Sequence, residues 1–76
     1  MLAEFYKGYE IVGSAVRGKE PNCWIPKVTI FPPVRIGLGP TVLTGPEGSF
    51  IAQDDAEAEA IRIGKEWVDR RGPKLP

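Results

Sequence analysis

One segment of the chain, from Gln53 to Arg70, has the 3.6-residue periodicity of an amphipathic helix, and it limits what the remaining residues can form. Acidic residues begin this segment and basic residues end it, an order that favours the helix dipole. Asp54 and Glu57 have the spacing of a capping box, and Gly72 with Pro73 follows as a stop signal. The sequence therefore predicts a single C-terminal helix.

The apolar residues of the predicted helix fall on one side. At about 100° per residue, this stripe comprises Ala56, Ala60, Ile63, Gly64 and Trp67, with Ile61 and Val68 on its flank. Gly64 weakens a helix by ~1 kcal/mol relative to alanine, but on the stripe it allows the helix to approach a sheet closely. The charged residues on the opposite side are interpreted as a solvated face, so the helix is predicted to cover a small core.

Two segments before the helix are predicted to be β-strands, Tyr9–Arg17 and Trp24–Phe31. A Gly-, Pro- and Asn-containing loop at 18–22 joins them, so we predict an antiparallel hairpin. In the second strand, alternate residues divide into an uncharged set, assigned to the core, and an exposed set. The core set is Trp24, Pro26, Val28 and Ile30, and the exposed set is Ile25, Lys27, Thr29 and Phe31. Proline has no N–H to donate, so Pro26 predicts an edge position or a bulge.

Residues 32–49 are interrupted by glycine and proline, and two interpretations remain open: two short strands at 34–38 and 41–44, or a loop with one strand. We expect frayed ends at 1–4 and 72–76. The predicted fold is α+β, a single domain over 1–76 with a three- to four-stranded antiparallel sheet (a meander) and one C-terminal α-helix packed on one face. Its predicted core is Tyr9, Ile11, Trp24, Val28, Ile30, Phe50, Ala56, Ala60, Ile63 and Trp67.

Several kinds of catalytic and metal site are excluded by residue type. The chain has one cysteine, Cys23, and no histidine, so it can form neither a Cys/His zinc site nor a Ser-His-Asp or Cys-His nucleophile pair. The glycines of 37–49 lack the Lys-Ser/Thr of a phosphate-binding loop. Asp54 and Asp55 are interpreted as a first turn favoured by the helix dipole, not as metal ligands. We expect no enzymatic activity and no cofactor.

The net charge is zero, with +2 on residues 1–46 and −2 on residues 47–76. This asymmetry is far weaker than the basic stripe of a strong nucleic-acid binder. The first residues lack the continuous apolar run of a signal peptide or a transmembrane segment. With one free cysteine as well, we expect a cytoplasmic protein without membrane contact.

The order of these motifs resembles a known family. An early "YKGYEI", a "WIPKVTI" strand, a turn-rich middle and "DDAEAEAIRIGKEWVD" in a closing helix are together similar to a family of small uncharacterised proteobacterial proteins, a domain of unknown function. The resemblance implies an antiparallel sheet with one C-terminal helix, and it implies no activity. Members often have Ser or Thr at the position of Ala52, so Asp54 would substitute as the helix cap.

The exposed side of the sheet is the candidate functional surface. Its predicted members are Tyr6, Ile25, Lys27, Thr29 and Phe31. One helix covers only one face of a sheet, so two interpretations of the second face remain open: it is simply exposed to solvent, or it is covered by a homodimer or a protein partner. We predict a small interaction or regulatory domain that can self-associate there. The alternative is a weak nucleic-acid-binding module, in which aromatic rings stack on bases beside Lys27.

Overall fold

The computed structural model describes residues 1–19, 23–34, 37, 39–45 and 50–71. Four antiparallel strands form one sheet in the order β1-β2-β3-β4, and one helix packs on one of its faces. The predicted α+β meander with a C-terminal helix is confirmed. The elements are β1 (Leu2–Tyr6), β2 (Tyr9–Arg17), β3 (Trp24–Phe31), β4 (Thr41–Thr44) and α1 (Gln53–Arg71).

The hairpin of β2 and β3 is the centre of the sheet, and its register sorts side chains as the alternation predicts. Ile11 lies opposite Ile30 and Gly13 opposite Val28, all four on the face covered by α1. Pro26 is in an interior strand, not at an edge. Its carbonyl accepts a hydrogen bond from Gly45 N, directly after β4 ends, so its missing N–H lies where the β3–β4 ladder stops.

β1 corrects the prediction of a frayed end at 1–4, because Leu2–Tyr6 pairs with β2 along its whole length. A two-residue turn at Lys7 and Gly8 joins the two strands, with φ of 50° and 86°. Two consecutive positive φ values match a type I′ hairpin turn, whose strand twist suits a tight hairpin. Asn-Gly is the usual sequence signal for this turn, and lysine is uncommon in the left-handed region. The Lys7–Gly8 turn, and with it β1, was therefore not predicted from the sequence.

One of the two strands predicted in the middle of the chain is present. Thr41–Thr44 forms β4, while Phe50 makes only an isolated bridge to Trp24, whose N–H donates to the Phe50 carbonyl at 2.8 Å. The second predicted strand, at 34–38, includes residues outside the described part of the chain. The predicted frayed tail at 72–76 also lies outside it.

The core lies between α1 and the central strands. The buried apolar residues are Tyr9, Ile11, Val28, Ile30, Ala56, Ala60, Ile61 and Val68. Of the other predicted core members, Ile63 and Trp67 are partly buried at the edge of this cluster, and Trp24 and Phe50 are also only partly buried. The buried stripe of α1 is therefore rotated from the predicted one toward Ile61 and Val68.

The rotation of α1 has a local cause, which is the approach of its first half to β2. Gly13 faces the helix so closely that a Cβ there would lie 2.8 Å from the Glu57 carbonyl oxygen and 3.0 Å from Ile61 Cγ1. One turn later, Gly64 faces the side chains of Ile11 and Val28. With glycine on β2 at Gly13 and on α1 at Gly64, the helix backbone packs directly against the sheet. Ile61 is therefore in the core, and Ile63 lies at its margin.

Candidate protein-interaction surface

The face of the sheet opposite α1, here called the outer face, is uncovered by any described element. Its residues follow from the register and the alternation of burial along each strand. They are Ala3 and Phe5 on β1, Glu10, Val12, Ser14 and Val16 on β2, Ile25, Lys27, Thr29 and Phe31 on β3, and Val42 and Thr44 on β4.

The outer face is mostly apolar, and its large side chains are exposed. Phe5 is 77% exposed, Val42 54%, Phe31 40% and Val16 38%. Together these four side chains expose on the order of 400 Å² of apolar surface, spread over three rows of the face. This total is within the range of the largest apolar patch on an ordinary monomer, which is often a functional site.

The outer residues lie in transverse rows, because paired residues of neighbouring strands share a face. The central row is Ala3, Val12, Thr29 and Val42, with no charge. On one side of it lies the row of Phe5, Glu10 and Phe31, and on the other the row of Ser14, Lys27 and Thr44, followed by a fourth row of Val16 and Ile25. Each flanking row is about 7 Å from the central one. The two charges of the face, one of each sign, are thus on opposite sides of an apolar centre.

Four of the five residues predicted for this surface lie on it: Ile25, Lys27, Thr29 and Phe31. Tyr6 does not. Its hydroxyl donates to both Asp69 carboxylate oxygens at 3.0 Å, so its ring lies on the helix side of the sheet. Tyr6 pairs with Tyr9, whose ring is buried against Trp67, and both tyrosines face α1. β1 was not predicted, so the alternation that separates Tyr6 from Phe5 could not be applied.

Phe5 is the outer-face aromatic that sequence analysis missed. It is the most exposed ring of the described residues that carry an aromatic side chain. Its signal was the alternation in "LAEFY", where Ala3 and Phe5 oppose Leu2, Glu4 and Tyr6. The Lys7–Gly8 turn would have given the register, since a two-residue hairpin turn fixes which residues pair.

The ion pairs of the described residues lie on the helix side. Lys7 Nζ is 2.6 Å from Asp69 Oδ1, and this hydrogen bond raises the pKa of Lys7 and lowers the pKa of Asp69. The Tyr6 hydroxyl lowers the pKa of Asp69 further. A second link joins Lys65 to Glu4 at 2.9 Å. These contacts hold β1 to α1. None of them involves Glu10 or Lys27, the two charged residues of the outer face.

On the exposed side of α1, Arg62 donates to Glu59 at 2.6 and 2.7 Å and to Glu66 at 2.9 Å. These bonds raise the pKa of Arg62, and the bond from Arg62 lowers that of Glu59. An open groove of about 330 Å³ runs between this helix surface and β4, with Leu43, Ile63 and Trp67 among its lining residues. Its basic side chains are already paired with carboxylates, so it offers no free charge to a ligand.

The helix start differs from the predicted capping box. The helix begins at Gln53, so Asp54 lies within its first turn, where the dipole favours a carboxylate. Glu57 is buried, and its Oε2 accepts from the Met1 ammonium at 2.8 Å and from Gln53 Nε2 at 3.4 Å. It is therefore a fixed partner of the first residue of the chain and not a member of the solvated face.

Among the described residues, no three His, Cys, Asp or Glu side chains are grouped so as to hold a metal ion. Within that same part of the chain, α1 is not apolar enough to span a membrane. Comparisons of the chain with protein-family models, with curated proteins and with solved structures found no match. The resemblance to the proteobacterial family remains a prediction, and the candidate function rests on the outer face itself.

Proposed function

We propose that this chain is a small non-enzymatic interaction domain that self-associates by packing the outer face of its sheet against that of a second copy. The observation that carries the proposal is the uncovered apolar face, on which Phe5, Phe31 and Val42 are exposed. Face-to-face packing of two sheets, about 10 Å apart, removes such side chains from water without any change in fold.

The size of the face fits a weak dimer. The strands have 5, 9, 8 and 4 residues. At about 3.3 Å per residue and about 4.8 Å between strands they present roughly 400 Å² in projection, so two copies would bury about 800 Å². That area is below the range of specific stable interfaces and fits a weak, transient contact. Association is therefore expected at concentrations of about 10 µM to 1 mM.

A second copy suits the surface better than nucleic acid does. Lys27 shares the outer face with Glu10, so the described face has no net positive charge for phosphates. The other bases of the first half that are described lie elsewhere: Lys7 binds Asp69, Arg17 lies 5.5 Å from the Trp24 ring on the helix side, and Lys19 follows β2. Tyr6 faces α1, so it is not on the outer face to stack on a nucleic-acid base.

Sedimentation equilibrium, which measures the molecular mass, tests the proposal for the parent and two variants from about 10 µM to about 1 mM. Both variants introduce threonine, whose β-propensity is similar to that of the residue it replaces. Phe5→Thr and Val42→Thr each remove apolar area from the outer face. Val34→Thr, at a residue that is 98% exposed and outside the sheet, is the control.

The parent and Val34→Thr should associate with the same constant, and the two outer-face variants should associate at least about ten-fold more weakly. Circular dichroism should show that all four chains are folded. A parent that stays monomeric at about 1 mM would overturn the proposal. So would association that Phe5→Thr and Val42→Thr leave unchanged. Salt-sensitive binding of a mixed single-stranded oligonucleotide that shifts the amide resonances of Ile25–Phe31, with no self-association, would support the nucleic-acid alternative instead.

A further inference from the structure

The outer face carries a charge pattern that selects one way of pairing two copies, and this inference rests on the proposed self-association. Glu10 and Lys27 lie one row to either side of the uncharged row of Val12 and Thr29. Glu10 and Ser14, the β2 partner of Lys27, are four positions apart on β2, so the two charges are about 14 Å apart along the strands. Within the described part of the chain, neither charge forms an ion pair.

Two sheets packed face to face as a symmetric dimer are related by a two-fold axis that lies in the plane between them. If this axis runs across the strands over the central row, each flanking row is carried over the opposite flanking row of the other copy. Glu10 then lies above the row of Lys27. The two residues are on adjacent strands, about 4.8 Å apart sideways, and their extended side chains span the gap between the sheets.

If the axis runs along the strands instead, each flanking row is carried over itself. Glu10 then lies against the aromatic row of the other copy, and Lys27 lies against its own row. Both charges would lose water without gaining an opposite charge, which is costly in a closed interface. Electrostatic complementarity at interfaces suppresses wrong orientations of this kind.

We propose that two copies of the chain pair through their outer faces about a two-fold axis that crosses the strands at the row of Val12 and Thr29, with two reciprocal Glu10–Lys27 ion pairs. The pairs set the orientation of the copies, while the apolar rows supply the area that leaves water.

Charge reversal tests the pairing. Glu10→Lys places lysine opposite lysine in both pairs, and Lys27→Glu places glutamate opposite glutamate. Each single variant should dimerise at least about ten-fold more weakly than the parent, and the double variant should recover most of the loss. An equimolar mixture of the two single variants should form a heterodimer, since each charge then meets its opposite. Lys19→Glu, which changes the net charge as Lys27→Glu does but lies after β2, is the matched control and should dimerise like the parent.

Sedimentation of each variant and of the mixture gives the constants, and circular dichroism checks that each chain is folded. If Phe5→Thr abolishes association while Glu10→Lys leaves it unchanged, the reciprocal pairing is overturned and the proposed self-association stands. If the two single variants weaken association but neither the double variant nor the mixture recovers it, the pairing is also overturned. If the parent does not associate, both proposals fail together.

Discussion

Gly64 should resist replacement by alanine, although alanine is the better helix former. It lies in the middle of α1 on the buried side, where the helix crosses β2 and β3. A Cβ added there would lie 2.6 Å from Ile11 Cγ2 and 2.9 Å from Val28 Cγ2. Both atoms belong to β-branched side chains whose χ1 is restricted, so they cannot turn away as a long side chain would. The helix must instead move away from the sheet.

Two terms of opposite sign decide the magnitude. Replacing glycine by alanine in a helix contributes ~1 kcal/mol of stability, and overpacking a closed core costs typically 1–3 kcal/mol. Both contacts fall below 3.0 Å and both partners are stiff, so we place the cost of Gly64→Ala at about 3 kcal/mol and the net loss at about 2 kcal/mol. For a domain of this size, that corresponds to a fall in Tm of roughly 8–16 °C.

Thermal and urea unfolding followed by circular dichroism measure the loss. Ala58→Gly, at an exposed position of the same helix, reports the propensity difference alone and should cost ~1 kcal/mol. In a Val28→Ala background one of the two clashes is removed, so Gly64→Ala should cost less there than in the parent. A Gly64→Ala variant that melts above the parent would refute the close approach of helix and sheet.

Two further predictions concern the ring of Tyr9 and the tie between β1 and α1. Tyr9 is buried, and its hydroxyl forms no hydrogen bond with any described atom. Tyr9→Phe should therefore leave the free energy of unfolding unchanged or raise it. A loss of more than about 1 kcal/mol in urea unfolding would show that the hydroxyl has a partner. Asp69 has a lowered pKa in the folded chain, so its contribution is present above the ordinary carboxyl pKa and is lost as the pH falls through the lowered value. The stabilising effect of Asp69, measured as the Tm difference between the parent and Asp69→Asn, should therefore be present at neutral pH and be lost in acid, as the pH falls through the lowered pKa. A difference that is constant with pH would contradict the ionic contact with Lys7.

The extents of the two central strands and of the helix could be read from local patterns. Alternation identified Tyr9–Arg17 and Trp24–Phe31 with the bounds that the structure has, and the helix differs from its prediction only at its last residue. Period-2 and period-3.6 patterns are strong where one side of an element is buried, because every second or every third to fourth residue must then be apolar. The same alternation assigned Ile25, Lys27, Thr29 and Phe31 to the uncovered face.

The first strand and the exact buried side of the helix depended on tertiary structure. β1 is exposed along most of its length, and its ties to α1 join residues about sixty positions apart in the chain, so no local pattern marks it strongly. It added Phe5 to the outer face and placed Tyr6 on the helix side.

By itself, the sequence determined the α+β meander, most of the core and the absence of histidine and paired-cysteine chemistry. Only the tertiary structure decided that Ile61 is buried while Trp67 lies at the core margin, and that Glu57 is a buried partner of the Met1 ammonium. It also decided that Glu10 and Lys27 stand on opposite sides of one apolar row. The physical reason is that periodicity gives the direction of a side chain relative to its own element, whereas register and helix approach give its neighbours, and these depend on residues distant in the chain.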